Sequence, residues 1–264
     1  MSARPVAVVG ASGKTGTRVA EALALRGVLV RRLGRAELAD PVAAFEGSAA
    51  AYLIAPNLHP DEPALVGGWV EALRAAGVGR VAYHSVAWPY APAMPHHLAK
   101  AATEDLVRRS GLAWTVLQPC AYVQNVVPGL RAPEPAVRVP YSVERPFGLV
   151  DLADVGEAAA VVLTEDGHVG ATYELGGPSL VTLADVARAA AQVRGVPVPA
   201  ERLDPRAWAD GAGAGMDPRE RDWLLAMFAF YDAYGLPTGG VPLQALVGRA
   251  PRDLRTTLLR ELTS

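Results

Sequence analysis

Cysteine is almost missing from this sequence of 264 residues, because Cys120 is the only one. One thiol cannot form an internal disulfide, and it cannot supply the clustered sulfur ligands of a zinc or iron–sulfur site. We therefore expect no disulfide framework and no metal centre. A lone cysteine is usually a small buried hydrophobe, so we do not expect Cys120 to act as a nucleophile either.

Lysine is almost as rare, since Lys14 and Lys100 are the two lysines among 25 Lys and Arg residues. A GC-rich bacterial genome tends to produce such an arginine-rich composition, which explains why lysine is scarce. It does not explain where the two lysines lie. Arginine replaces lysine easily on a solvated surface, but not where a compact ammonium must fit. We therefore expect both lysines to lie in functional motifs.

Further absences exclude several classes of protein. The sequence has no basic block and a formal net charge of −2, which argues against a dedicated nucleic-acid-binding protein. No apolar run approaches the roughly 18 residues of a membrane span, and we find no signal peptide. With 51% hydrophobic residues, the chain can bury a large core. We expect a soluble, cytoplasmic monomer or homodimer that binds a small molecule.

Strand-like and helix-like segments alternate along the chain. Val6–Val9 is a short apolar run that ends in glycine, as buried parallel strands do, and a helical pattern follows it. Further strands are predicted at residues 28–30, 50–54, 81–85, 114–117 and 172–175, and further helices at 62–76, 95–110, 154–164, 183–194 and 217–234. This alternation predicts an α/β protein with a Rossmann-like, doubly wound parallel sheet.

The second half of the chain is less regular, and five prolines fall between residues 128 and 146. So many prolines predict a loop region with at most an edge strand. We expect a single domain over residues 1–264, with a Rossmann core of about residues 1–125 and 148–180. A small C-terminal substrate-binding region is expected at about residues 126–147 and 181–264.

The turn after the first strand has the sequence GASGKTG. Glycines at this spacing let the chain turn sharply, let backbone N–H groups approach a pyrophosphate, and let the helix pack closely on the strand. A P-loop would need a further glycine where Val8 stands. Lys14 is interpreted as a cation near the cofactor phosphates, the alternative being a solvated surface lysine. The predicted dinucleotide site comprises Gly10, Ser12, Gly13, Lys14, Thr15 and Gly16.

Three arginines follow the second predicted strand, and no acidic residue occurs before Glu37. An NAD enzyme usually has Asp or Glu there to accept a hydrogen bond from the ribose 2′-hydroxyl, whereas a guanidinium binds a 2′-phosphate. We therefore predict NADP(H) as the cofactor, with Arg32 and Arg35 as phosphate ligands. The alternative is that one or two of these arginines, which include Arg31, merely lie on a solvated turn.

The chain resembles NmrA-like atypical short-chain dehydrogenases/reductases, in particular the quinone-oxidoreductase-type members. The resemblance is carried by VVGASGKTG, VRRLGR, GVGRVAYHSV, HHLAKAATEDLVRRSGLAWTVLQPCAYVQN, GLVDLADVGEAAAVVL and GATYELGGPSLVTLADVA, in matching order from residue 5 to about residue 195. It implies a Rossmann fold with a small C-terminal substrate region, NADP binding, and either quinone or carbonyl reduction or a redox-sensing role.

The resemblance also implies roles for individual residues. Ser85 matches the serine that hydrogen-bonds the substrate, and Lys100 matches the lysine that holds the nicotinamide ribose. The turn that flanks the nicotinamide corresponds to Pro119, Cys120 and Ala121, and Ala55 is counted among the cofactor-binding residues. Three aromatic residues are candidates for a pocket around a flat ligand, although ordinary packing explains them equally well: Trp88, Tyr90 and Tyr122.

The sequence departs from the family pattern in two places. The family's third strand, with an acidic residue that contacts adenine, is shortened or absent here, because only residues 35–40 separate the arginines from the next helix. The second departure concerns the Tyr-x-x-x-Lys pair, in which tyrosine protonates the carbonyl oxygen. His96 and His97 lie where that tyrosine would be, and either imidazole can approach Lys100 as a general acid or have no role.

Three functions remain open from the sequence. The first is an NADPH-dependent oxidoreductase that transfers hydride to a quinone or polycyclic aromatic ketone, in secondary metabolism such as antibiotic biosynthesis. Quinone reduction tolerates the loss of the tyrosine, because the hydroquinone anion is a stabilised product. The second is a non-catalytic NADP(H)-sensing regulator, and the third is a cofactor-independent cyclase or isomerase.

Overall fold

The computed structural model describes residues 4–263 and contains a six-stranded parallel sheet. Its strands are Val6–Val9 (β1), Val30–Leu33 (β2), Ala50–Leu53 (β3), Arg80–His84 (β4), Ala113–Pro119 (β5) and Ala171–Leu175 (β7). A second, two-stranded parallel sheet pairs Val137–Val139 (β6) with Ala200–Arg202 (β8). The predicted α/β fold with a parallel sheet is therefore confirmed.

Eleven α-helices are found within the described part of the chain. They are Lys14–Leu25 (α1), Pro41–Phe45 (α2), Glu62–Ala75 (α3), Pro95–Arg108 (α4), Val127–Arg131 (α5), Leu152–Thr164 (α6), Leu183–Arg194 (α7), Pro205–Asp210 (α8), Pro218–Tyr234 (α9), Val241–Val247 (α10) and Leu254–Thr263 (α11). Among residues 4–263, no helix is both long and apolar enough to cross a bilayer.

Each face of the main sheet has its own hydrophobic core. The strands lie in the order β2-β1-β3-β4-β5-β7, and alternate residues of β1 point to opposite faces. Val6 and Val8 belong to the core under α1 and α6, whereas Ala7 and Val9 belong to the core under α2, α3 and α4. Helices thus cover both faces, which is the doubly wound arrangement that the alternating segments predicted.

The second strand lies further along the chain than predicted. The apolar run at residues 28–30 suggested a strand there, but the ladder with β1 runs from the pair Val6 and Val30 to the pair Val9 and Leu33. Leu29 is 53% exposed and belongs to the connection after α1. β2 forms the edge of the sheet, where the side chains of Arg31 and Arg32 reach solvent or loops, so its sequence carries little apolar signal.

No further strand lies beyond β2 in the described residues, at the place where the family's third strand was expected to be shortened or absent. Between β2 and β3 the chain forms a single 3₁₀ turn at Glu37–Ala39 and the short helix α2. Phe45 at the end of α2 is fully buried and anchors this connection against the sheet. The groove at this edge is therefore bordered by a turn rather than by a strand.

The proline-rich segment is more regular than predicted. Pro128 lies in the first turn of α5, a position where a missing N–H is tolerated. β6 then pairs with β8, so it is part of a separate sheet and not an edge of the main one. The expectation of a loop over residues 128–146 is thus wrong at α5, because proline excludes a helix interior but not a helix start. β6 is an edge strand of its two-stranded sheet, which the expectation allowed.

The C-terminal helix is fastened to the core by a buried carboxylate. Asp151 precedes α6 and accepts hydrogen bonds from the Ala153 backbone N–H, the Thr257 hydroxyl and the Arg260 guanidinium. Burial alone would raise the pKa of Asp151, but these three donors hold it below the ordinary value. The ionised carboxylate therefore joins α6 to α11.

Helices α1 and α6 approach closely because of a glycine. A Cβ on Gly156 would lie 2.6 Å from the carbonyl oxygen of Arg18, which is closer than packed atoms can come. Gly68, in the middle of α3, has free space instead, because no atom lies within 4 Å of a Cβ built on it. The two glycines therefore form a matched pair for substitution.

We predict that Gly156→Ala lowers the free energy of unfolding by about 1–3 kcal/mol, the usual cost of overpacking. Gly68→Ala is predicted to raise it by about 0.5–1 kcal/mol, because alanine restricts the unfolded chain and favours helix. Urea unfolding of both variants measures the difference. Equal effects of the two substitutions would contradict the close contact of α1 and α6.

Candidate cofactor groove and active site

Two depressions meet at the carboxyl edge of the main sheet. A groove of about 360 Å³ follows the glycine turn after β1, and a cavity of about 450 Å³ lies over the ends of β4 and β5. Lys14, Thr15, Ile54, Ala55 and Asn57 line both, so the two spaces are continuous. Ligands of open α/β sheets bind at this edge.

The structure brings most of the predicted residues to these two spaces. The groove is lined by Gly10, Ser12, Gly13, Lys14, Thr15, Gly16, Arg35 and Ala55, and the cavity by Ser85, His96, His97, Lys100, Pro119, Cys120, Ala121 and Tyr122. Arg32, Trp88 and Tyr90 line neither space.

The glycine turn has the geometry that an anion needs. Gly10 adopts a φ of 71°, and a Cβ on Gly16 would lie 2.2 Å from the Gly10 carbonyl oxygen. The start of α1 therefore packs directly against the end of β1, where a larger residue does not fit. Gly13 precedes α1 without any side-chain cap, so the first N–H groups of the helix remain free for an anion.

The three arginines in and after β2 lie in different surroundings. Arg31 turns away from the groove and donates to the carbonyl oxygens of Ala44 and Glu46, which holds the α2 connection. Arg32 donates to the carbonyl oxygen of Ala11 in the glycine turn at 3.1 Å. Arg35 lines the groove itself. Two of the three guanidiniums thus lie at the groove side.

Lys14 lies where the groove opens into the cavity. Its ammonium donates to the Asn125 side-chain oxygen at 2.5 Å and lies 5.4 Å from the centre of the Tyr122 ring. Burial lowers the pKa of Lys14. The Lys14 side chain therefore borders both the groove and the cavity, although the residue as a whole is exposed.

Lys100 forms a buried ion pair that the sequence did not reveal. Its ammonium donates to the Glu62 carboxylate at 2.8 Å and to the His84 carbonyl oxygen at 3.3 Å. The Tyr83 hydroxyl donates to the same Glu62 oxygen at 2.5 Å. Glu62 is fully buried, and its second carboxylate oxygen has no hydrogen-bond partner among the described residues. The pair fixes the ammonium at the cavity wall.

Ser85 is held by a second buried carboxylate. Its hydroxyl donates to Glu104 at 2.5 Å, and Gln118 and Arg108 donate to the same carboxylate at 2.8 and 2.7 Å. Because the hydroxyl proton is directed to Glu104, Ser85 can offer only its lone pairs to a ligand. It is thus arranged as an acceptor.

His96 and His97 both lie in the cavity wall beside Lys100, but neither is suited to donate a proton. Burial, with the Lys100 charge, lowers the pKa of His96 to about 3, and burial lowers that of His97 to about 4. The Nδ1–H of His97 donates to the Trp88 carbonyl oxygen, which leaves Nε2 as an acceptor without a partner in the described residues. The predicted role as general acid is therefore not supported at neutral pH.

A further imidazole lies between two tyrosines. His84 Nδ1 is 2.7 Å from the Tyr52 hydroxyl, and Nε2 is 2.7 Å from the Tyr122 hydroxyl. Burial, followed by the charge of Lys100, lowers the pKa of His84 to about 3, so the ring is neutral. His84 and Tyr122 both line the cavity.

Cys120 follows β5 in the cavity wall and behaves as a buried small side chain. Its thiol donates to the Leu236 carbonyl oxygen at 3.4 Å, and burial raises its pKa to about 11. A thiol with this pKa is not a nucleophile at neutral pH. The expectation that Cys120 has no nucleophilic role thus agrees with its surroundings.

Helix α9 covers the cavity with one face, on which Leu224, Met227, Phe228 and Tyr231 line it. Trp223 on the same helix packs on His96, and Arg219 donates to the Leu58 carbonyl oxygen at 2.9 Å. The aromatic character of this segment was visible in the sequence, although the sequence did not show which residues face the site.

Trp88 and Tyr90 lie away from the cavity that they were expected to line. Trp88 packs edge-on against Phe230, and its carbonyl oxygen fixes His97. Tyr90 is 62% exposed, and its hydroxyl contacts the Arg108 guanidinium and the buried Glu104 carboxylate. Both residues contact side chains of the site, Trp88 through His97 and Tyr90 through Glu104. Their predicted contact with substrate stays a prediction.

Sequence reasoning missed Glu62, His84 and Tyr52. Glu62 follows the N-cap of α3, where an acid is common for the helix dipole alone, so nothing marked it as the partner of Lys100. Tyr52 lies in the apolar strand β3 and resembled ordinary core. His84 gave a weak signal, because a histidine directly before Ser85 ends an otherwise apolar buried strand. Within residues 4–263, no three metal-ligating side chains come together.

Comparison with known proteins identifies the family. No protein-family model matches the chain. The chain is 30% identical to quinone oxidoreductase 2 of Escherichia coli over 253 residues, which cover 93% of this chain and 85% of that protein. It is 28% identical to (4-alkanoyl-5-oxo-2,5-dihydrofuran-3-yl)methyl phosphate reductase of Streptomyces griseus over 275 residues, 95% of each chain.

A solved structure shares the fold over nearly the whole length. The NADPH-dependent quinone oxidoreductase of Escherichia coli, crystallised with NADPH, superposes with a TM-score of 0.81 and covers 97% of this chain and 99% of its own, at 23% identity. The protein is thus a reductase with a Rossmann-like fold, in which a cavity adjoins the glycine turn. The chain belongs to the NmrA-like, quinone-oxidoreductase-type family of atypical short-chain dehydrogenases/reductases, which are NAD(P)-dependent oxidoreductases.

The three buried histidines predict a dependence of stability on pH. His84, His96 and His97 have folded pKa values of about 3, 3 and 4, below the value of about 6.5 in an unfolded chain. The stabilisation that comes from burying these neutral rings is therefore fully present above about pH 6.5. As the pH falls below this value, each ring lowers the free energy of unfolding by about 1.4 kcal/mol per pH unit.

We predict a steep loss of unfolding free energy between about pH 6.5 and pH 5, measured by urea unfolding. His97→Asn keeps a donor for the Trp88 carbonyl oxygen and removes one titrating ring, so its slope should be smaller by about one proton. A wild-type stability that does not change over this range would contradict the depressed pKa values.

Proposed function

We propose that the protein is an NADPH-dependent oxidoreductase that transfers hydride to a quinone or a polycyclic aromatic ketone. The observation that carries this proposal is the continuity of the glycine-turn groove with a cavity that holds a buried ammonium, Lys100. A reductase must hold its cofactor next to the carbonyl group that accepts the hydride. The groove and the cavity provide these two neighbouring sites at one edge of the sheet.

The groove has the features of an NADP(H) site. The uncapped start of α1 and the close contact of Gly16 with Gly10 leave space and free N–H groups for a pyrophosphate. Arg35 supplies a guanidinium for a 2′-phosphate in the groove, and Arg32 lies beside the glycine turn, bonded to the Ala11 carbonyl oxygen. The Glu37 carboxylate accepts from the Gly34 N–H. The predicted cofactor therefore fits the residues present.

The cavity has donors for the oxygen of a carbonyl or quinone. NADPH, when bound, supplies the hydride. Lys100 is held in place by Glu62 before any ligand arrives, so its charge can stabilise a developing oxyanion without reorganisation. The aromatic and apolar face of α9 suits a flat ring system.

A quinone or an aromatic ketone is favoured over a simple aliphatic ketone. The cavity of about 450 Å³ is lined by aromatic side chains such as Phe228 and Tyr231. A role in secondary metabolism, such as antibiotic biosynthesis, stays a prediction. A cytoplasmic location, a monomeric or homodimeric state, and the division into a Rossmann core and a substrate region stay predictions.

An NADP(H)-sensing regulator is the second candidate, because the tyrosine of the Tyr-x-x-x-Lys pair is absent and its place is taken by unprotonated histidines. Such a protein would bind NADP⁺ and NADPH with different affinities and would not turn over. The two candidates are separated by catalysis in the presence of saturating cofactor.

The function is tested by NADPH oxidation with a panel of benzoquinones, naphthoquinones, anthraquinones and polycyclic aryl ketones, beside calorimetric titration of NADPH and NADH. We expect tighter binding of NADPH than of NADH, and turnover with at least one member of the panel. NADPH binding without turnover on any member would instead favour the sensor.

Lys100 provides the matched variant. Lys100→Met should lower kcat by about 10²-fold or more, because a donor to the oxyanion is lost. It also leaves Glu62 buried without its counter-charge, at about 3–5 kcal/mol of stability. The double variant Lys100→Met/Glu62→Gln should recover most of the stability but not kcat. Full activity in the folded double variant would exclude Lys100 from the reaction.

A further inference from the structure

Three side chains form a hydrogen-bonded row from the middle of the sheet to the cavity. Tyr52 on β3 contacts Nδ1 of His84, and Tyr122 after β5 contacts Nε2, both at 2.7 Å. Tyr52 is fully buried and His84 is 6% exposed. Neither Tyr52 nor His84 belongs to the Tyr-x-x-x-Lys position or to the Ser85 site, so the row is a separate feature of this chain.

The positions of the protons in this row follow from burial. A neutral imidazole carries one N–H and one bare nitrogen, so it donates to one tyrosine and accepts from the other. The Tyr52 hydroxyl has no other hydrogen-bond partner in the described residues, and leaving its O–H without an acceptor would cost about 1–3 kcal/mol. Tyr52 therefore donates to Nδ1, and His84 carries its proton on Nε2.

This tautomer determines which way Tyr122 can donate. Because Nε2–H donates to the Tyr122 oxygen, the hydroxyl proton of Tyr122 cannot point back to His84 and is directed elsewhere. Tyr122 lines the cavity together with Thr15, which also lines the groove. The free O–H thus lies where cofactor groove and substrate cavity meet.

Other candidates for a proton donor in the cavity are less suitable. The Ser85 hydroxyl is directed to Glu104, and the rings of His96 and His97 are uncharged at neutral pH. Tyr141 also lines the cavity, but no side-chain hydrogen bond orients its hydroxyl in the described part of the chain. The contact with His84 sets Tyr122 apart, because it holds the Tyr122 oxygen in place and leaves the hydroxyl proton available to the cavity.

We propose that Tyr122 is the proton donor of the reduction, and that His84 and Tyr52 are positioning residues that aim its hydroxyl at the substrate. This inference rests on the proposed function. It assigns a proton donor in place of the missing tyrosine of the Tyr-x-x-x-Lys pair. This donor lies in the connection after β5, whereas Lys100 lies on α4, which precedes β5.

Tyr122 would give its hydroxyl proton to the substrate oxygen. When the substrate carbonyl accepts hydride from NADPH, its oxygen becomes anionic, and the Tyr122 O–H bond breaks while an O–H bond forms on that oxygen. The electron pair stays on Tyr122 as a phenolate. The His84 Nε2–H and the Lys14 ammonium, 5.4 Å from the ring centre, stabilise this phenolate, and water returns the proton.

Burial supports the resting state of this donor. It raises the pKa of Tyr122 above the ordinary value, and the Thr15 side chain offsets part of the rise. The hydroxyl is therefore protonated at neutral pH and holds its proton until an anion forms beside it.

Tyr122→Phe tests the donor, with Tyr173→Phe as the matched control. Tyr173 also bonds a histidine, since its hydroxyl is 2.9 Å from His168 Nδ1, but it lines neither groove nor cavity. Tyr122→Phe should lower kcat for ketones by about 10²–10⁴-fold, the usual contribution of a general acid. The loss should be smaller for quinones, and NADPH affinity should stay close to that of the wild type.

The outcomes separate the two proposals. A wild-type protein that turns over no quinone or ketone overturns the proposed function and, with it, this inference. An active wild type with an unchanged Tyr122→Phe variant on every substrate overturns the inference alone. A loss of activity in Tyr173→Phe as large as that in Tyr122→Phe also overturns it, because the effect would then not depend on the cavity.

The positioning role has a readout that needs no turnover. Nitrogen-15 NMR of the histidine side chains should show His84 with its proton on Nε2, and Tyr52→Phe should give a mixture of tautomers with a lower kcat at unchanged KM. His84→Gln, which keeps a donor toward Tyr122, should retain more activity than His84→Leu. A wild-type His84 protonated on Nδ1 would overturn the assignment of the Tyr122 proton.

Discussion

The cavity depends on one buried ion pair, between the Lys100 ammonium and the Glu62 carboxylate. The two side chains are 7% and 0% exposed, so neither charge could remain there alone. The pair joins α3 to α4, and it makes further hydrogen bonds with the Tyr83 hydroxyl and the His84 carbonyl oxygen. The positive charge of Lys100 adds to the effect of burial and helps to keep His84 neutral. Only a neutral His84 can accept a hydrogen bond from one tyrosine while it donates to another.

The glycine turn and the ion pair divide the work of the site. The contact of Gly16 with Gly10 fixes the start of α1 at the sheet edge, and the free N–H groups there suit an anionic cofactor. The ion pair joins the first residue of α3 to the second turn of α4 and provides a preorganised charge. Lys14 connects the two regions, because it lines both the groove and the cavity. A hydride donor and an electron acceptor can therefore share one edge of the sheet.

Much of the fold could be predicted, because it follows from short-range patterns. The apolar strands, the glycine turn and the helix ends are all visible within a few residues. β2 was misplaced because two of its four residues are arginines at a sheet edge. The ion pair of Glu62 with Lys100, and the contacts of Tyr52 with His84, could not be predicted, since each joins residues far apart in the chain and each burial is stable only once its partner is present.

A single-turnover experiment tests the central claim that hydride passes from NADPH in the groove to a carbonyl compound in the cavity. The protein is mixed without oxygen with one equivalent of NADPH, or of NADPH deuterated at the transferred position, and then with an excess of quinone or aryl ketone. We predict a first-order loss of the NADPH absorbance that is slower with the deuterated cofactor, and deuterium on the carbinol carbon of a ketone product. Bound NADPH whose absorbance persists with every acceptor would contradict the account.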